Sequence, residues 1–198
     1  MNEIISFLNN INFNWNTIEI IAVALSIIYV SLASRQNINC WIFAIISVSL
    51  YIYICFNAQL FPETGLQIFY LIMAVYGYLN WSKSSNNLTI TNLSVGKHLL
   101  IISLGTLCAF LFGYFFTIYT SSKLPIIDSF TTVFSVIATF MLTKKILENW
   151  LYWVVIDIVS VYLYFSRELH LTSLLFILYS IIAIFGYLSW LRNSKKYA

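Results

Sequence analysis

Charge is the scarcest property of this sequence. Among 198 residues there are 10 Lys or Arg and 7 Asp or Glu, while about a quarter of an average soluble domain is charged. A chain so poor in charge cannot coat a water-soluble surface, which excludes a secreted enzyme. Its richness in apolar residues excludes a disordered chain. Cysteine is sparse too. Cys40, Cys55 and Cys108 form no Cys-x-x-Cys pair and sit in or beside apolar runs, so a disulfide scaffold is excluded and all three read as small core residues. The two histidines, His98 and His170, fall at loop edges on opposite sides and cannot make one metal site. No Ser-His-Asp set, zinc-type spacing or phosphate-binding glycine loop is present. No catalytic residue, metal or cofactor is expected. The net charge of +3, carried at segment ends, gives nucleic-acid binding no support.

What is present is apolar sequence in blocks of bilayer-spanning length, with a mean hydropathy of +0.86. The reading is an all-α integral membrane protein in one domain, residues 1–198. Spans are expected at 17–33, 41–56, 65–81, 98–119, 127–143, 149–165 and 172–190. Seven spans put the termini on opposite sides. Eight of the ten basic residues then fall on the C-terminal side, against only Lys123 and Arg167 on the other. This positive-inside bias makes the C-terminus cytoplasmic and the N-terminus external. Residues 1–16 hold no Lys or Arg, so no signal peptide is expected there. Trp15, Trp41, Trp81, Trp150 and Trp190 fall at span ends and read as interfacial anchors. The Asn87-Leu88-Thr89 and Asn92-Leu93-Ser94 triplets match the glycosylation pattern and are assigned to loop composition.

Sliding the chain against itself by 109 positions superposes Trp41 on Trp150, Tyr53 on Tyr162, Leu60 on Leu169 and Tyr70 on Tyr179. Gly77-Tyr78-Leu79-Asn80-Trp81 falls on Gly186-Tyr187-Leu188-Ser189-Trp190, and Glu19 on Asp128. Apolar helices share Leu and Ile by chance, but not Trp, Gly and Tyr in one register. The expected architecture is repeat one at 17–81, a linker helix at 98–119 and repeat two at 126–190. A linker that crosses once makes the repeats parallel, giving a 3+1+3 arrangement. Two such halves are a transporter architecture, with cargo bound between them near the midplane; a purely structural duplication is the alternative.

The sixth span carries the chemistry. Trp150, Trp153 and Asp157 are spaced by three and four residues and share one helix face. An acid near mid-span costs about 2.5–3.5 kcal/mol to insert, and no Lys or Arg lies within any span to pair with it. Such an acid faces a bundle interior or a wet cavity. An acid beside indoles suits a flat organic cation, which the rings stack upon and the carboxylate attracts. An Asp held by neighbouring hydroxyls is the bland alternative. Gln67 and Tyr70 share a face of the third span and Tyr179 is the repeat equivalent of Tyr70; helix–helix contact and ligand contact explain Gln67 equally well. Gly77 and Gly186 read as close-packing positions. For Glu19 and Asp128, gating and simple solvation are equal explanations.

Leu66-Gln67-Ile68-Phe69-Tyr70, with Tyr76-Gly77-Tyr78-Leu79-Asn80-Trp81 behind it, resembles the third core helix of the PnuC family of bacterial vitamin transporters. The run from Leu142 through Glu148-Asn149-Trp150-Leu151-Tyr152-Trp153 is similar to that family's Glu-Asn-Trp-x-x-Trp segment, and the likeness extends from about Thr17 to Trp190. The resemblance implies uptake of a vitamin, typically nicotinamide riboside or, in relatives, thiamine. It implies facilitated diffusion across the inner membrane and trapping by a cytoplasmic kinase. By motif match, the substrate contacts would be Trp150, Trp153, Asn149, Asp157, Gln67, Tyr70 and Tyr179. The family's nicotinamide riboside members carry Asn where this chain has Asp157. The expected partners are a flat aromatic cation and the lipid bilayer, with no nucleic acid; a homo-oligomer is compatible with the sequence. The rival classes are a membrane enzyme, which would need acids or histidines clustered at one interface, and a receptor that binds without flux.

Overall fold

A computed structural model of the chain describes residues 17–83, 89–119 and 124–195. Among the described residues there are seven helices: α1 (Thr17–Ser34), α2 (Cys40–Asn57), α3 (Phe61–Lys83), α4 (Val95–Tyr119), α5 (Pro125–Thr143), α6 (Asn149–Phe165) and α7 (His170–Ser194). No boundary departs from the expected span by more than about four residues. Five of these helices are long and apolar enough to cross a membrane by length and composition alone. The other two are α3, diluted by Glu63, Gln67 and Asn80, and α6, whose 17 residues span about 25 Å of a hydrocarbon core about 30 Å thick. Trp15 and, of the first triplet, Asn87 and Leu88 lie outside the described residues.

The turns are short and recur. Helix α1 ends through Gln36 at φ 57°, and α5 ends through Lys145 at φ 52°. Helix α2 ends through Gln59 at φ 58°, and α6 through Glu168 at φ 62°. Each pair is 109 residues apart, and each residue is in the left-handed conformation that closes a helix. The backbone N–H of Asn37 reaches the Leu32 carbonyl at 3.0 Å, as that of Ile146 reaches Met141 at 3.0 Å.

The helices pack in a closed ring. Helix α2 touches α1 and α3, α6 touches α5 and α7, and the seams α1–α7 and α3–α5 join the two halves. Helices α2 and α6 do not touch and face one another across the interior. Helix α4 stands outside the ring and packs along α5, with His98 near its start bonded to the Tyr152 hydroxyl of α6 at 3.0 Å. Its contact face is a stripe of Gly105, Ala109 and Gly113, on which Phe134, Ile137 and Ile126 lie close enough to reach an added methyl group. Small residues every four positions are what close helix approach in a bilayer requires. Most of the rest of α4 is exposed and apolar.

One end of the ring is plugged. Trp41, Trp81, Trp150 and Trp190 are each no more than 5% exposed and form one cluster with Ala33, Cys40 and Leu142. They are not interfacial anchors as their positions implied. Trp41 packs on Gly77, and Trp150 packs on Gly186; a Cβ added to either glycine would come within 2.8 Å of the indole. The glycines draw these rings into the bundle instead of letting them lie at the lipid headgroups. Among the cysteines only Cys40 is buried; Cys108 is exposed on α4 and Cys55 is half-buried. The core reading therefore fails for Cys108, which is exposed on α4.

Candidate functional site

Above the tryptophan plug, inside the ring, lies a cavity of about 480 Å³, a volume typical of small-molecule sites. Six of the seven residues singled out from sequence line it: Gln67 and Tyr70 from α3, Trp150, Trp153 and Asp157 from α6, and Tyr179 from α7. Asn149 is not brought to the wall. It is wholly buried one turn below, where its Nδ2 donates to the Ile146 carbonyl at 2.6 Å.

The two indoles differ. One face of Trp150 is covered by Gly186, and its ring meets Trp190 edge-on at 5.6 Å. Its Nε1–H has no acceptor among the described residues, as is also true of Trp41. Trp153, one turn further up, is half-buried and lines the cavity. Asp157 is 2% exposed and has no hydrogen-bond or ion-pair partner among the described residues. A buried carboxylate without a partner is costly in any low-dielectric site, so its place on the cavity wall makes it a candidate ligand contact.

The opposite wall is complementary in shape. Positions 109 residues before Trp153 and Asp157 hold Ala44 and Val48 on α2, and both line the cavity. The small residues leave open the space that the indole and carboxylate face. The repeat equivalent of Gln67 is Phe176, also on the wall. The cavity is thus polar and acidic on α6 and α3 and smaller-lined on α2.

Away from the plug, the wall includes Glu63, Asp128 and Arg167. Asp128 and Arg167 form an ion pair. With Asp157 included, three carboxylates face one guanidinium, so the cavity as a whole favours a cation.

Hydroxyls missed at the sequence level complete the wall. Ser26 and Tyr51 lie there, with Ser135, Ser160 and Tyr164 on the other half. The Ser26 Oγ bonds the Tyr179 hydroxyl across the α1–α7 seam. Ser135 adjoins Tyr70 across the α3–α5 seam. Ser26 and Ser135 are themselves 109 residues apart, a signal the sequence contained beside the Tyr70–Tyr179 match.

The plug also bridges the halves. Trp81 Nε1–H donates to the Thr143 carbonyl at 3.2 Å, and Asn80 Nδ2 donates to the same oxygen at 2.7 Å. Trp190 Nε1–H donates to the Ala33 carbonyl at 3.1 Å. Each closing indole therefore binds the last turn of the first helix of the other half, where carbonyls lack intrahelical donors. Lys145 lays its ammonium over the Trp81 ring, 4.7 Å from the centroid, and burial pushes its pKa down.

Comparison with known proteins gives a consistent set. The profile of a family described as nicotinamide mononucleotide transporter matches residues 16–192. The chain is 26% identical to the nicotinamide riboside transporter PnuC of Escherichia coli K12, over 93% of this chain and 89% of that one. It is 24% identical to the Neisseria mucosa protein of the same name, over 90% and 73%. It is 23% identical to the riboflavin/roseoflavin transporter RibM of Streptomyces davaonensis, over 87% and 83%. A crystal structure of the vitamin B3 transporter PnuC shares the fold, with a TM-score of 0.75 and 22% identity over 100% of this chain and 88% of that one.

Proposed function

The chain belongs to the nicotinamide mononucleotide transporter family, and from that premise we propose that its cargo is nicotinamide riboside. It is a multi-pass membrane transporter and not an enzyme. The relatives carry the choice of nicotinamide riboside; the observation that carries a flat cation as cargo is Asp157, a buried carboxylate one helical turn from Trp153 on the cavity wall. A pyridinium ring stacked on Trp153 would place its positive charge against that carboxylate. Gln67, Tyr70 and Tyr179 offer hydrogen bonds to the carboxamide and ribose, and Trp150 forms the floor with its unbonded N–H. Asn149 supports that floor from below.

Two parallel repeats, 17–81 and 126–190, rock against each other about the seams, with α4 as linker. The paired left-handed turns and the paired Trp–Gly contacts support this reading. The Lys- and Arg-rich plugged end faces the cytoplasm, in the bacterial inner membrane. Transport is facilitated diffusion, with the cargo trapped by a cytoplasmic kinase.

Thiamine is the second reading, because it is also a flat cation and meets the same carboxylate. Riboflavin carries no positive charge and would meet Asp157 through hydrogen bonds alone. Purified protein in liposomes should take up labelled nicotinamide riboside, with competition by thiamine only if the second reading holds. Saturable binding without flux would make the protein a receptor, and no binding of either cation would overturn the assignment. Thermal melting gives an independent measure. Cargo at about 100 times its dissociation constant should add about 2.7 kcal/mol of stability.

A further inference from the structure

Asp157 has a neighbour that could satisfy it. Tyr179 lines the same cavity and lies within electrostatic reach of the carboxylate, yet its hydroxyl is bonded to Ser26 Oγ instead. The direction of that bond follows from proton bookkeeping. Ser26 Oγ also lies 2.7 Å from the Val23 carbonyl three residues back on α1, and a carbonyl can only accept. A serine within a helix gives its one proton to such a carbonyl. A phenol is also a better donor than an alkyl hydroxyl. The Tyr51 hydroxyl also adjoins Ser26, and the serine oxygen has two lone pairs, so it accepts from both phenols and the Tyr179 proton is committed to it.

We propose that Ser26 is a positioning residue that diverts the Tyr179 proton across the α1–α7 seam and so keeps the Asp157 carboxylate unsatisfied and open to a cationic cargo. The cargo part of this inference rests on the function proposed above; the internal hydrogen-bonding part does not. The arrangement also leaves Tyr179 with only lone pairs to offer the cavity, so it accepts from the cargo and does not donate. The other half supplies a control. Ser135 and Tyr70 repeat the Ser26 and Tyr179 pair, but Val48 stands where the second half has Asp157, so nothing there competes for a released tyrosine proton.

The carboxyl infrared band of Asp157, assigned by its loss in Asp157→Asn, reads its hydrogen bonding without any cargo. Ser26→Ala should shift that band as Tyr179 turns to the carboxylate, and Ser26→Ala combined with Tyr179→Phe should restore it. Ser135→Ala should leave it in place. Tyr179→Phe alone should also leave it unchanged, a measurement that needs no Ser26 variant to fold. A shift on Tyr179→Phe alone, or no shift on Ser26→Ala, would overturn the proposal. In uptake assays, Ser26→Ala should raise the KM for nicotinamide riboside about tenfold, as expected when a charged hydrogen-bonding group is occupied internally. The double variant should return to within about twofold of Tyr179→Phe alone. A Ser26→Ala defect that persists in the Tyr179→Phe background would assign Ser26 a merely structural role. Absence of uptake by the unmodified protein, with the infrared pattern intact, would sink the cargo assignment alone.

Discussion

In the proposed site Trp153 and Asp157 would divide the work of holding a flat cation, because one presents a π face and the other a charge, and both lie on the same stretch of α6. Trp153→Ala should abolish binding of nicotinamide riboside while the protein keeps its helicity and elutes as before; unchanged affinity by titration calorimetry would remove the ring from the site. Asp157→Asn keeps the shape and deletes the charge. It should weaken cation binding tenfold or more, given the 2–5 kcal/mol typical of a buried charged pair that loses one member. The same variant should weaken a neutral flavin competitor far less, which displacement measurements would show. Of the residues read from sequence, Asn149 alone is held off the cavity wall. It shares a helical face with Trp153, but one turn lower, and depth along a helix is set by the packing of other helices.

At the scale of elements, each half is pinned by a tryptophan lying on a glycine. Gly77 and Gly186 are required because the indoles of Trp41 and Trp150 occupy the space a Cβ would need, at 2.5 and 2.7 Å. Gly77→Ala and Gly186→Ala should each cost about 1–3 kcal/mol, the usual range for overpacking a close-packed core. Gly65→Ala, where nothing lies within 4 Å, should not destabilise by this mechanism; thermal unfolding in detergent would compare the three. The glycines were legible as packing positions because they recur at one offset. Their partners were not. A tryptophan at a helix end looks the same in sequence whether it faces headgroups or a neighbouring glycine. Cys108 misled for a related reason, since an apolar run does not reveal which of its sides meets lipid.

The whole molecule is a ring closed at its basic end. The seals are the indole-to-carbonyl bonds of Trp81 and Trp190, which run from one half to the other. The proposed rocking of the halves would require these to break, each at a net cost of about 1 kcal/mol. In a background with Cys55 and Cys108 replaced by Ser, Cys40 is buried within the plug. Trp81→Phe and Trp190→Phe should then speed labelling of Cys40 by a membrane-impermeant maleimide applied to the basic face. Unchanged labelling would show that the seal does not depend on these bonds. The Asp128–Arg167 pair at the other end joins two elements of the same half and does not bridge the seams as the indoles do.

The number and placement of the helices were determined by the sequence alone, because each span independently meets one local condition: enough apolar residues to cross the hydrocarbon core with every backbone group bonded internally. The offset of 109 and the concentration of Lys and Arg at one end were legible for the same reason, being properties of position along the chain. The tertiary structure decided what depends on partners. Ser26 meets Tyr179 from 153 residues away, and Trp190 meets Ala33 from 157. Whether Asp157 was satisfied by a neighbour or left open to the cavity could be settled only once the ring had closed, since a hydrogen bond is defined by two groups and the sequence displays them one at a time.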